Sequence, residues 1–322
     1  MIVVTQGHEK GIGLEVFFKA LALSPKHWTP SCHLVAYKST LQKHLKALGI
    51  DSAFTSEGID LPTGHLQCSW LATSRLPQST VALEKGIELA ENDHSNILFT
   101  LPTTKDALRN PKKPTQRFLG HTEYLRARSK TTELGMFFSS NNLNALLITD
   151  HLPLKDVSKV LTSSLLHKKL TLSLESLKKI EPHLNHAIVA GLNPHAGEEG
   201  LLGSEEKKLL VGLKKVKVRG FKISGFYPGD TLLNQKQSNK DLLVYLHHDQ
   251  GLAPFKSMMG TIGANITLGL PYIRLSVDHG TAFTLYGKNS ADPRGAFFCL
   301  RKAISYQERV RGKDTNHQSA RS

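Results

Sequence analysis

"DLLVYLHHDQGLAPFK", residues 241–256, begins as an apolar run and ends in two histidines, an acid, an amide and a lysine. A short apolar run of this kind reads as a buried strand, and the polar residues sit where it stops. Two further segments share the pattern. "NALLITDHLPLKD" (144–156) and "AIVAGLNPHAGEEG" (187–200) each carry a strand-like run into a histidine. Ligands of open α/β sheets gather beyond the carboxyl ends of strands. Three histidine-tipped strand ends therefore predict an α/β protein with one polar site.

Working outward, strand-like runs alternate with helical ones, the mark of an α/β fold. "IVVTQ" (2–6), "HLVAY" (33–37), "NILFTL" (96–101), "GMFFSS" (135–140) and "KISGFYP" (222–228) read as strands. Helices are expected over 12–23, 40–48 and 81–92, from about Lys155, over 205–217 with Ser204 as its cap, and over 293–309. "NITLGLPYIRLSV" (265–277) reads as one long strand, and residues 312–322 as a disordered tail.

A chain of 322 residues suits one large domain or two moderate ones. No apolar run approaches the ~20 residues of a membrane span, and "MIVVTQGHEKG" lacks the basic start of a signal peptide. Three scattered cysteines without a CxxC suit a reducing, cytoplasmic setting. The net charge of +14 raises nucleic acid as a partner. Lysine and arginine recur along the whole chain, however, with modest clusters at 213–222 and 309–313 and no zinc-finger, RRM or KH pattern. That spread argues against nucleic acid and suits an anionic substrate.

His151, His195 and His248 form a candidate metal set, because neutral imidazoles are common ligands of zinc and related ions. Spacing alone is weak support in a chain with sixteen histidines. Strand alternation would turn either His247 or His248 toward the site, without saying which. The glycines of "GLNPHAGEEG" allow backbone N–H groups close to an anion or cofactor. "GHTEYL" (120–125) sets His121 and Thr122 at a helix start, where phosphate is welcome. Lys256, Asn265 and Arg274 supply two cations and an amide for a phosphate or carboxylate. "DHGTAFTLYGKNSADP" (278–293) suits a loop around an adenosine. "TQGHEKGIG" (5–13) matches neither GxGxxG nor GxxxxGK[ST].

Taken together, "GHTEYL", "HLPLKDV", "GLNPHAGE", "P.DT" (228–231), "HDQGL…K", "NITLGLPYIR", "DHGTA" and "ADP" resemble the 4-hydroxythreonine-4-phosphate dehydrogenase family of vitamin B6 biosynthesis. The resemblance implies an isopropylmalate-dehydrogenase-like, two-domain α/β/α sandwich with its active site in the interdomain cleft. It implies one domain from 1–120 plus 287–322 and a second over 121–286, in a cytoplasmic homodimer whose sites are completed across the interface. The metal histidines would be His151, His195 and His248. The substrate residues would be His121, Thr122, Lys256, Asn265 and Arg274, and the cofactor residues His279, Gly280, Thr281 and Ala282. Asp249 or Lys256 would serve catalysis as the proton acceptor, Asp249 alternatively orienting a metal histidine.

The implied reaction is NAD- or NADP-dependent oxidation of 4-phosphohydroxy-L-threonine, with one divalent zinc, cobalt or magnesium ion per subunit. Its product, 2-amino-3-oxo-4-phosphobutanoate, decarboxylates to 3-amino-2-oxopropyl phosphate. The alternatives are a threonate or erythronate 4-phosphate dehydrogenase of the same family and a member that binds ligand without turnover. The chain departs from the family in three places. Its first turn reads Gly7-His8-Glu9-Lys10-Gly11-Ile12-Gly13-Leu14-Glu15 where the family has G-D-P-A-G-I-G-P-E; Glu199 replaces a glycine, and Asp150 a common threonine.

Overall fold

The protein is described by a computed structural model covering residues 1–131 and 133–319. The chain forms two compact units, one of Met1–Lys130, Thr261–Ala264 and Leu270–Ser322, the other of Thr131–Gly260 and Asn265–Gly269.

The first unit opens with β1 (Ile2–Thr5), α1 (Gly13–Ala22), β2 (Cys32–Ala36) and α2 (Lys38–Leu48). The short strands β3 (Ala53–Phe54), β4 (Gly58–Leu61) and β5 (Gly64–Trp70) follow, then α3 (Gln78–Asn92) and β6 (Ile97–Thr100). A separate hairpin of β7 (Arg109–Asn110) and β8 (Lys113–Arg117) leads to α4 (His121–Ser129). Ile2, Val3 and Val4 are fully buried, as an unbroken apolar run demands of a strand covered on both faces. The run Leu14–Phe18 of α1 is buried as well.

The second unit holds β9 (Gly135–Ser139), β10 (Asn144–Leu147), α5 (Leu154–Val160), α6 (Ser163–Ile180), β11 (His186–Ala190) and α7 (Glu205–Lys215). It continues with β12 (Lys222–Tyr227), β13 (Asp241–Tyr245), α8 (His248–Met259) and β14 (Ala264–Leu268). The chain then returns to the first unit as β15 (Ile273–Val277) and α9 (Arg294–Ser319). Strand order in the first unit is β15-β6-β1-β2-β5-β4-β3, and in the second β12-β11-β13-β10-β9-β14.

Register is what positions the site. β10, β13 and β11 are parallel neighbours, with Leu147 opposite Tyr245 and Val189 opposite Val244. Their carboxyl ends, which lead to His151, His248 and His195, therefore leave the same edge of the sheet. Beneath them Phe138, Leu147, Ile188, Tyr245, Leu252 and Phe255 form one buried cluster, which seats α8 on β10 and β13.

Three expectations are corrected. The stretch 265–277 is two strands, because Gly269 turns with φ +96° and Pro271 follows. Residues 248–256 are helix, with Pro254 accommodated inside α8. His247 is the helix N-cap, so strand alternation does not govern the histidine pair. Residues 312–319, expected in a disordered tail, continue α9, and 320–322 lie outside the described residues.

Gly251 lets α8 lie close on the sheet, for a Cβ there would meet a Leu147 methyl at 2.7 Å and the Tyr245 ring at 2.8 Å. Gly251→Ala is expected to cost about 1–3 kcal/mol of stability through overpacking, measurable by urea denaturation.

Candidate active site

α8 begins at His248, whose ring centroid lies 5.2 Å from that of His151, the planes tilted by 43°. His248 Nδ1 is 2.7 Å from Asp249 Oδ1 and donates to it, which leaves Nε2 with the lone pair. Two imidazoles on one tetrahedral ion have centroids roughly 5 Å apart, given metal–nitrogen bonds of about 2 Å. The pair thus fits a shared divalent cation. His247, half-buried beside them, is kept below its ordinary pKa chiefly by desolvation.

His195 sits differently. Residues 195–199 all have positive φ, from 42° to 80°, forming a single left-handed turn in which four residues are not glycine. Its side chain is 63% exposed, with Nδ1 3.8 Å from Glu198 Oε2. Among the described residues no group of three or more His, Cys, Asp or Glu side chains is placed to hold a metal ion. The structure brings two of the three expected ligands together and leaves the third on a turn of its own.

That turn is held by residues the sequence reading passed over. Buried Glu206 accepts through Oε1 from the amides of Leu192 at 2.8 Å and Asn193 at 2.7 Å, and through Oε2 from Asn193 Nδ2 at 3.0 Å. Ser204 occupies the N-cap of α7 but makes no side-chain capping bond, contrary to expectation. The signal for Glu206 was present only as an acid in the first turn of a helix.

The anion-binding candidates divide between the units. In the first, Arg274 on β15 is 2% exposed, and its Nε and Nη2 donate to Thr100 Oγ1 at 3.1 and 2.6 Å. Burial lowers its pKa to about 10, so it stays charged at neutral pH. His121 opens α4 with buried Thr122 beside it. Desolvation first, and the Arg274 charge second, hold His121 well below its usual range, so it is neutral and can donate without adding charge. In the second unit, Lys256 shares the Asp249 face of α8, ~10 Å further along the axis. Asn265 on β14 has a buried Oδ1 with no hydrogen-bond partner, an acceptor suited to a ligand N–H or O–H.

The expected cofactor loop lies in the first unit. His279 Nδ1 donates to the Gly280 carbonyl at 3.0 Å, while its buried Nε2 has no partner. Beside Gly280 a Cβ would meet open space, and Ala282 is left-handed at φ +44°. The loop is tied to the first turn: Ile12 N donates to the Thr281 carbonyl at 3.0 Å, and the His8 ring meets Phe283 edge-on at 4.8 Å. A cavity of about 120 Å³ lined by Lys43, His44, Tyr286, Gly287 and Asn289 adjoins the end of this loop. An orphaned ring nitrogen beside open backbone fits a polar cofactor.

The α/β scaffold thus buries an arginine next to an uncharged histidine. The family model described as pyridoxal phosphate biosynthetic protein PdxA matches residues 37–305, and this chain belongs to that family. It is 33% identical to a 4-hydroxythreonine-4-phosphate dehydrogenase of Desulforapulum autotrophicum, over 94% of each chain. It is 32% identical to an Oceanobacillus iheyensis protein provisionally named a D-threonate 4-phosphate dehydrogenase, over 94% of this chain and 97% of the other. Among solved structures it resembles the 4-hydroxythreonine-4-phosphate dehydrogenase of Klebsiella pneumoniae, with a TM-score of 0.77, 26% identity and 95% and 99% coverage of the two chains.

A histidine kept neutral by folding binds fewer protons than it does unfolded. Stability is therefore lost as pH falls below the unfolded pKa of about 6.5. His33, His44 and His247 are lowered too, each mainly by burial, and add to the same slope. In urea denaturation between pH 7.5 and 5.5, His121→Gln should flatten this decline, the other three histidines retaining theirs.

Proposed function

We propose that this protein oxidises 4-phosphohydroxy-L-threonine to 2-amino-3-oxo-4-phosphobutanoate with NAD or NADP, the product decarboxylating to 3-amino-2-oxopropyl phosphate. The observation that carries the reading is the pairing of His151 with His248 in a chain of this family. His151, His195 and His248 would hold a divalent ion such as zinc, cobalt or magnesium. When bound, such an ion lowers the pKa of the substrate hydroxyl and stabilises the enolate charge left by carbon dioxide loss.

The chain's own residues supply the rest. Arg274, Lys256, His121 and Thr122 would grip the phosphate and carboxylate, fixing the reacting carbon in place. Asn265 Oδ1 would accept from the substrate's ammonium or hydroxyl group. Asp249, engaged with His248 at 2.7 Å, would serve as a positioning group, and Lys256 would meet the substrate and move its proton. His279, Gly280, Thr281 and Ala282 would hold NAD or NADP, the hydride acceptor.

A homodimer that completes each site across its interface is supported by the isolation of His195 and by apolar side chains near the histidine segments. Leu154 is 72% and Leu201 83% exposed, three and six residues beyond His151 and His195. A cytoplasmic setting is supported by three buried cysteines that remain free thiols. Among the described residues no helix is long and apolar enough to cross a membrane.

The Oceanobacillus relative favours a second reading, oxidation of a threonate 4-phosphate. The test is reduced-nicotinamide formation by purified protein with each substrate and each cofactor, with added divalent metal. Turnover of the amino acid phosphate, lost by roughly a hundredfold or more in His248→Ala, is the expected result. Turnover of the sugar-acid phosphate alone would transfer the assignment to the second reading. Absence of turnover with both would leave a ligand-binding member of the family.

A further inference from the structure

The side chain that joins the histidine-bearing segments is an amide two residues past His248. Gln250 Nε2 donates to the Gly191 carbonyl at 2.7 Å, and Gln250 Oε1 accepts from the Leu246 amide at 2.8 Å. One planar group thus ties the end of β11 to the end of β13. The connection extends to both sides. The Leu246 carbonyl accepts from Thr149 N at 3.1 Å and Thr149 Oγ1 at 2.7 Å, two residues before His151. Gly191 N donates to the Tyr227 carbonyl at 2.7 Å, at the end of β12. Gly229, just beyond, leaves room for the amide, since a Cβ there would stand 2.9 Å from Gln250 Nε2.

We propose that Gln250 is a positioning residue that sets the His195 turn against the His151–His248 pair. The inference rests on the metal reading for its main readout and on backbone geometry for the rest. The left-handed turn explains why such a clamp is needed. Non-glycine residues in that conformation are held against a local penalty of about 1–2 kcal/mol each, so the turn persists only while its neighbours restrain it. From α7 Glu206 holds Leu192 and Asn193, which lead into the turn, and from α8 Gln250 holds Gly191, the residue before them. The chemistry also selects the residue type. The two backbone groups require one acceptor and one donor on the same side chain. Glutamate at neutral pH offers two acceptors, lysine only donors, and asparagine is a methylene short.

Gln250→Glu keeps the shape and the bond to Leu246 but sets a carboxylate oxygen against the Gly191 carbonyl. Gln250→Met removes both bonds at similar length. Cobalt(II) is titrated into the full-length protein and followed by its visible absorption, which reports ligand number and type. Amide hydrogen exchange is recorded alongside. Both variants are expected to bind cobalt about ten- to a hundredfold more weakly and to exchange faster at Leu192 and Asn193. Leu174→Ala, a buried position of α6 with no part in these hydrogen bonds, is the control for lost stability and should keep wild-type cobalt affinity well below its unfolding temperature. Wild-type affinity and exchange in Gln250→Glu would overturn the proposal, as would an equal loss of affinity in Leu174→Ala. If the wild-type protein takes up no cobalt, the metal reading fails separately, and the exchange of Leu192 and Asn193 alone decides the clamp.

Discussion

The site depends on three parallel strands that end together. Parallel pairing of β10, β13 and β11 fixes the heights of their carboxyl ends through backbone hydrogen bonds. Slipping one strand by a residue would exchange the side chains on its two faces, each fitted to a different packed layer. The fully buried run Leu242–Leu246 makes that slip prohibitive. Core packing thus determines where the chemistry stands. It delivers Asp150–His151, Gly191–His195 and Leu246–His248 to one edge before any of these side chains makes a contact of its own.

From that edge outward, control passes from apolar packing to hydrogen bonds. The His151–His248 pair sits directly over packed structure, with α8 seated on Tyr245 through Gly251. The His195 turn has little apolar support, and its geometry relies on Glu206, Asn193 and the strand-end amide network. This difference accounts for the uneven assembly of the three histidines in a single chain. Two are fixed by the core, and the third is carried on backbone that adjacent polar groups must hold in place. A turn of that kind can meet a ligand or a second copy without disturbing the core beneath it.

The fold was legible because apolar runs and amphipathic periods are statements about burial, and the strands from Ile2 to Tyr245 follow them. It was misread where punctuation outweighed composition. Gly269 and Pro271 divide a run that by apolar content is continuous. The polar string after Tyr245 is helical because His247 takes up the extended N-cap and Gly251 permits close packing. Residue types suggested the imidazoles and the cations. They could not reveal Glu206, Gln250 or Thr149, whose roles arise only when distant segments meet. Nor could they show that Arg274 is buried rather than solvated, a consequence of its place on a covered strand.

The first turn shows how such long-range contacts change the meaning of a departure. Read along the chain, His8, Glu9 and Lys10 put polar groups where the family has an acid, a proline and a small residue. In the folded unit the His8 side chain and the backbone of Glu9 and Lys10 make local contacts. His8 Nδ1 accepts from the Lys10 amide at 3.1 Å, and its ring packs on Phe283. The Glu9 carbonyl lies 3.0 Å from His44 Nε2, and His44 in turn meets the Tyr286 ring at 5.2 Å. Together with Ile12 N on the Thr281 carbonyl, these contacts tie the turn to the 279–286 loop at three points. Burial disfavours protonation of His44, so its Nε2–H serves as a neutral donor and the tie adds no charge beside the loop. With these residues the turn is joined to the loop by hydrogen bonds and ring contacts. Their effect falls on how firmly that loop is held, and the histidine segments of the other unit keep their own supports unchanged.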